Sequence, residues 1–84
     1  MGRIRRTWER VLGGSADANL EFDDVIALLT ALGFRHRVRG SHHVMFKANV
    51  ARPLTLQRQG SKAKPYQVRQ IRAVILAYNL GLEA

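Results

Sequence analysis

The chain has 84 residues, 46% of them hydrophobic and none of them cysteine, which sets it as one small domain with one core, no disulfide framework and no Cys-type zinc site. Its net charge of +8 points to a polyanionic partner, yet five of its six acids (Glu9, Asp17, Glu21, Asp23, Asp24) fall in the first 24 residues and the sixth is Glu83. Between Val25 and Leu82 stand ten Lys or Arg residues and no carboxylate, which excludes a two-metal nuclease, a Glu/Asp acid-base pair and a Ser-His-Asp triad from that body of the domain.

Residues 3 to 12 place Ile4, Trp8, Val11 and Leu12 at roughly helical spacing with Arg between them. This segment reads either as a short amphipathic helix or as a basic arm ordered only on docking. Gly13-Gly14-Ser15-Ala16 reads as a flexible joint. The expected division is an N-terminal arm or short helix over 1–19 and the folded domain over 20–84. Met1 to Arg6 lacks the apolar core of a signal peptide, and no run of about 18 apolar residues occurs, so a soluble protein of the reducing cytoplasm with no membrane contact is expected.

From Leu20 the pattern sharpens. Phe22, Val25, Ile26, Leu28, Leu29 and Leu32 form an apolar stripe, Asp23 and Asp24 complement the dipole at its start, and Gly33 closes it, which predicts a helix over about 21–32. Next, Phe34, His36 and Val38 alternate with Arg35, Arg37 and Arg39, so an extended chain presents three guanidinium groups on one face. Gly40-Ser41 supplies a turn, and Val44 and Phe46 resume an apolar period of two, predicting a hairpin with a second strand over His43 to Lys47. Leu54-Thr55-Leu56-Gln57 alternates again as a third strand with Leu54 and Leu56 inward. Arg58 to Lys64 is polar and cationic and reads as a loop. Pro65 suits a first helical position, Val68, Ile71, Ile75 and Tyr78 give a second helix, and Gly81 is expected to end it. The order places two helices on one sheet face and leaves the Arg ladder on the other.

Two imidazoles at a basic turn can titrate near neutral pH and reach a bound anion, an arrangement suited to RNA. RNA carries its own nucleophile, the 2′-hydroxyl, so its cleavage needs a base, cations around the phosphate and a proton for the leaving oxygen, with no metal or other cofactor. Either histidine can fill the base role. If the strand is regular from residue 42, His42 shares a face with Val44 and Phe46 and His43 is the exposed one, whereas a bend at the turn frees His42. The cations and turn groups placed to bind RNA are Arg35, Arg37, Arg39, Gly40, Ser41, Lys47, Arg58, Lys62 and Lys64. The plain reading of the same residues is a solvated face, a strand-edge pair of imidazoles and a solubilising loop. His36, Tyr66, Tyr78 and Trp8 read as packing residues.

Leu32-Gly33-Phe34, the turn Arg39-Gly40-Ser41-His42-His43, Leu54-Thr55-Leu56-Gln57 and the segment Gly60 to Arg72 together resemble the HicA-type toxins, also grouped as YcfA-like, of bacterial type II toxin-antitoxin pairs. The likeness runs from about Asp17 to Leu80. It implies an α+β fold like the double-stranded RNA-binding domain, α-β-β-β-α, with a three-stranded antiparallel sheet. It also implies an mRNA interferase whose histidine after Gly-Ser performs cleavage, carried here onto His42 with His43 in reserve, and neutralisation by a HicB-like antitoxin, the chain standing as a monomer or in the toxin-antitoxin complex. Where many members follow the third strand with Pro-Arg-His or similar, this chain has Leu56-Gln57-Arg58-Gln59, so a second catalytic histidine is missing from that place. Two rival expectations stand beside this one: a double-stranded RNA-binding module without catalysis, and a basic interaction protein for an acidic partner.

Overall fold

The computed structural model describes residues 2–82. Helix α1 spans Gly2–Gly13, α2 spans Phe22–Ala31 and α3 spans Pro65–Ala77, with a single 3-10 turn at Asp17–Asn19 between the first two. Strands β1 (Arg35–Arg39), β2 (His42–Phe46) and β3 (Leu54–Leu56) form an antiparallel sheet in that order, and β4 (Arg58–Gln59) pairs with β5 (Lys62–Ala63) in a separate small hairpin. The sequence α2-β1-β2-β3-α3 is the α-β-β-β-α order of the double-stranded RNA-binding domain.

The helix boundaries follow from local chemistry. In α2, Asp23 and Asp24 occupy the first turn, where negative charge meets the positive end of the helix. Its far end is a Schellman closure: Gly33 takes φ +99°, its N–H donates to Thr30 O at 3.0 Å, and Phe34 N–H donates to Leu29 O at 3.0 Å. Helix α3 closes the same way but not at Gly81. Asn79 takes φ 54°, and Leu80 N–H donates to Ile75 O at 2.9 Å, so the stop comes two residues earlier than the glycine suggests. Asparagine is the residue other than glycine that best tolerates this conformation.

Residues 2–13 are helical, and α1 packs against both α2 and α3 with Thr7 and Val11 buried. Ile4, Trp8 and Leu12 lie half-buried on the same stripe. The Trp8 Nε1–H finds no acceptor among the described residues. What fixes the joint behind α1 is Arg72 on α3, whose Nη1 donates to Val11 O at 2.8 Å and to Asp17 at 2.9 Å while Nη2 reaches the second Asp17 oxygen at 3.0 Å.

The segment Arg58 to Lys64 is a hairpin rather than the loop that its composition suggests. Gly60 takes φ +63° at its two-residue turn. Two backbone bonds anchor it to the entry of α2: Phe22 N–H to Ser61 O at 2.9 Å and Ala63 N–H to Leu20 O at 2.8 Å. The core lies between the helices and one sheet face, with Leu20, Phe22, Leu28, Met45, Leu56 and Ile71 nearly inaccessible. Gln67 is also buried there; its Oε1 accepts from Gln57 N–H at 3.2 Å and its Nε2 donates to Thr55 O at 3.3 Å, tying α3 to the end of β3. Gln67→Leu is expected to lose about 1–2 kcal/mol of stability, read as a lower urea midpoint at unchanged slope, because both backbone groups then lack their partner.

Candidate functional site

The hairpin geometry decides which side chains meet. Arg39 and His42 flank the Gly40–Ser41 turn, and the register continues as Arg37↔Val44 and Arg35↔Phe46. Gly40 alone in that turn has positive φ, +57°, which makes it a type II′ turn with glycine at the position that requires it. Directly opposed residues share a sheet face, so Arg35, Arg37, Arg39, His42, Val44 and Phe46 lie together on the side away from the helices. β3 adds Thr55 across from Val44.

This is a correction to the expected polarity of β2. Val44 and Phe46 were expected inward, but Met45 is the inward residue, completely buried against Leu54, while Val44 and Phe46 lie half-buried on the outer face. The outer position is tolerated because cations cover the ring: the Arg37 guanidinium carbon lies 5.5 Å from the Phe46 centroid and that of Arg35 6.0 Å. His42 is therefore exposed on the Arg face without any bend at the turn, with Arg39 opposite it.

One position beyond the β2–β3 pair His43↔Leu56 comes Gln57, beside His42. Its Nε2 donates to Ser41 Oγ at 3.2 Å, and its Oε1 accepts from Lys64 Nζ at 3.3 Å. The turn preceding His42 is thus tied through Gln57 to the residue that caps α3. Sequence reading had Gln57 as an ordinary strand residue; the only hint was a polar side chain ending an alternating strand.

His43 faces the helices. Its ring packs edge-on to Phe22 at 4.9 Å and stacks on His36 at 5.2 Å between centroids, with His36 Nε2 and His43 Nδ1 3.0 Å apart in a hydrogen bond. Burial pushes the His43 imidazole below its ordinary value, and the neighbouring His36 and Arg58 push the same way against a smaller opposing pull from Asp23. A folded value below the unfolded one means that the unfolded chain binds the proton more tightly. Stability attached to neutral His43 is therefore complete above about pH 6.5 and declines as pH falls from there towards the folded value. His43→Phe is expected to flatten this part of the stability profile, measured by urea midpoints between about pH 5 and 7.5.

Of the remaining candidate cations, Lys47, Arg58 and Lys62 do not join the Arg face. Lys47 follows the parity of Met45 to the helix side, where its Nζ lies so close to Gly33 that a β-carbon there would sit 3.0 Å away, at the negative end of α2. Arg58 donates to Asp23 at 2.7 Å and lies 4.6 Å over the Phe22 ring, and Lys62 donates to Glu21 at 2.6 Å. With Arg3 paired to Asp24 and Arg72 to Asp17, the ion pairs all stand on the helix side, and Arg35, Arg37 and Arg39 have no carboxylate partner among the described residues. Nor is there, among these residues, a cluster of His, Cys, Asp or Glu able to hold a metal ion. No described helix is long and apolar enough to cross a membrane.

A three-stranded sheet backed by helices on one side, and bearing unpaired arginines with an exposed histidine on the other, defines a small α+β protein with the element order of the double-stranded RNA-binding domain and a cationic sheet face. The family model for the HicA toxin of bacterial toxin-antitoxin systems matches residues 22–77, two thirds of the chain. The chain belongs to that family and is the toxin member of a toxin-antitoxin system. No curated protein and no solved structure gives a match. The matched span begins at α2, so α1 and the joint held by Arg72 lie outside it.

Proposed function

We propose that the chain is a metal-independent endoribonuclease that cleaves mRNA in the cytoplasm, with His42 as general base. The observation that carries this reading is the placement of an exposed His42 directly across from Arg39 on a face whose charges, among the described residues, are all positive. An RNA strand laid along β1 meets Arg35, Arg37 and Arg39 at every second residue, and its phosphates fix the register. His42 takes the 2′-hydroxyl proton, the 2′-oxygen attacks the adjacent phosphorus, and the bond to the 5′-oxygen breaks. That oxygen leaves with a proton from solvent, giving a 2′,3′-cyclic phosphate and a 5′-hydroxyl end. Arg39 and the Lys64 ammonium held at Gln57 are the cations nearest the developing charge on phosphorus.

His43 supports this reading from the opposite side of the strand. Packed on Phe22 and held neutral, it props the end of the hairpin and does not reach the outer face. Arg58, Lys62 and Lys47, engaged elsewhere, contribute general positive potential. A HicB-like antitoxin neutralises the toxin by covering the Arg face. The alternative, a double-stranded RNA-binding module without chemistry, uses the same arginines against backbone phosphates.

The test is incubation of the purified chain with a single-stranded RNA in excess EDTA, with the product ends identified by mass. Cyclic-phosphate products support the proposal; tight binding with intact RNA selects the non-catalytic reading. Arg37→Ala is expected to weaken RNA binding at every sequence tried and to lower the slope of log affinity against log salt by about one.

A further inference from the structure

The ladder of β1 is used on one side only. Among the described residues β1 pairs with β2 and with no other strand, and all five of its residues are exposed. In a two-residue hairpin the pair flanking the turn exchanges its hydrogen bonds, and alternate pairs do so after it. Arg39, Arg37 and Arg35 therefore spend their backbone groups on β2, while His36 and Val38 turn their N–H and C=O groups outward from the sheet. Val38 is 53% exposed.

We propose that this edge is the docking site for an extended acidic segment of a partner protein, which adds to the sheet as a fourth strand beside β1. Strand addition places the partner's residues directly opposite those of β1 on the same faces. Carboxylates at alternate positions then stand opposite Arg35, Arg37 and Arg39, and apolar residues between them cover Val38 and the exposed edge of His36. A second copy of this chain does not fit. Antiparallel pairing of β1 about its own centre sets Arg37 against Arg37 and Arg35 against Arg39, on a face where no carboxylate among the described residues separates them. The three arginines thus bar self-association and select an acidic strand. A nucleic acid strand satisfies the guanidinium groups but leaves the outward amides of His36 and Val38 unused.

Because the added strand carries its acids over the Arg ladder, it also competes with RNA; that competition rests on the function proposed above, whereas the strand pairing does not. The experiment uses the full chain and a short synthetic peptide of alternating glutamate and valine. The expected result is slowed amide hydrogen exchange at His36 and Val38 on peptide binding. A peptide of the same charge, N-methylated at the amides that would face β1, is expected to bind at least about tenfold more weakly. Val38→Pro removes one outward N–H without breaking the ladder to β2, a substitution that an edge strand accepts. It is expected to lose peptide binding while its affinity for a single-stranded RNA is unchanged. Equal binding of the N-methylated peptide, protection located elsewhere, no binding, or dimers of the free chain in sedimentation each overturn the proposal. If RNA is neither bound nor cleaved while the exchange result holds, the nuclease reading fails and the docking edge stands.

Discussion

His42→Ala is expected to lower the rate of RNA cleavage by about 10²–10⁴-fold with little change in RNA affinity, the usual cost of removing a general base. His42 stands exposed among Arg39, Gln57 and the Ser41 turn, whereas His43 is turned towards Phe22 on the opposite sheet face. His43→Ala is accordingly expected to reduce stability through lost packing and to leave the rate per folded molecule nearly intact. Single-turnover cleavage, corrected for the folded fraction from circular dichroism, separates the two. A collapse of the rate in His43→Ala with His42→Ala still active would reverse the assignment and place the chemistry on the helix side of the sheet.

The second large effect concerns the clip between α1 and α3. Asp17→Ala is expected to lower stability at pH 7 by about 2–3 kcal/mol, a fall in Tm on the order of 10 °C, because it leaves a mostly enclosed guanidinium with half its partners. The hydrogen bond from Arg72 holds the Asp17 carboxyl below the usual carboxylate range, only partly opposed by burial. A depressed folded value contributes stability above the unfolded value, near pH 4, and that contribution fades as pH falls through the folded one. The gap in stability between the parent and Asp17→Asn should therefore shrink in acid. Urea midpoints measured between about pH 2.5 and 7 decide this: a gap that stays constant would mean that Asp17 matters through its shape and not through its charge.

Much of the fold was legible because local rules and tertiary context agree. The stripe from Phe22 to Leu32, the glycine closing it, the Gly-Ser turn and Pro65 at the head of α3 each specify one conformation on their own chemistry. The alternating arginines likewise share one face in any extended chain. The polarity of β2 was not legible, because His43-Val44-Met45-Phe46 offers an apolar residue to either side. The deciding contacts come from β3, whose Leu54 and Leu56 pair with Met45 and His43, and from arginines that shelter Phe46. The β4–β5 hairpin was hidden for a similar reason. Its residues have little apolar content, and backbone bonds from Leu20 and Phe22 hold it in place. Gln57 escaped notice because an amide acquires a role only through what flanks it, here Ser41 and Lys64.

The four carboxylates paired among the described residues all sit beside the helices, each holding a cation there, while Arg35, Arg37 and Arg39 have no such partner. The strand face is therefore a patch of concentrated positive charge that no carboxylate among the described residues offsets. A long polyanion is drawn to such a patch before contact, and attraction of this kind acts on the rate of encounter. Added salt should then slow its capture more than it hastens its departure.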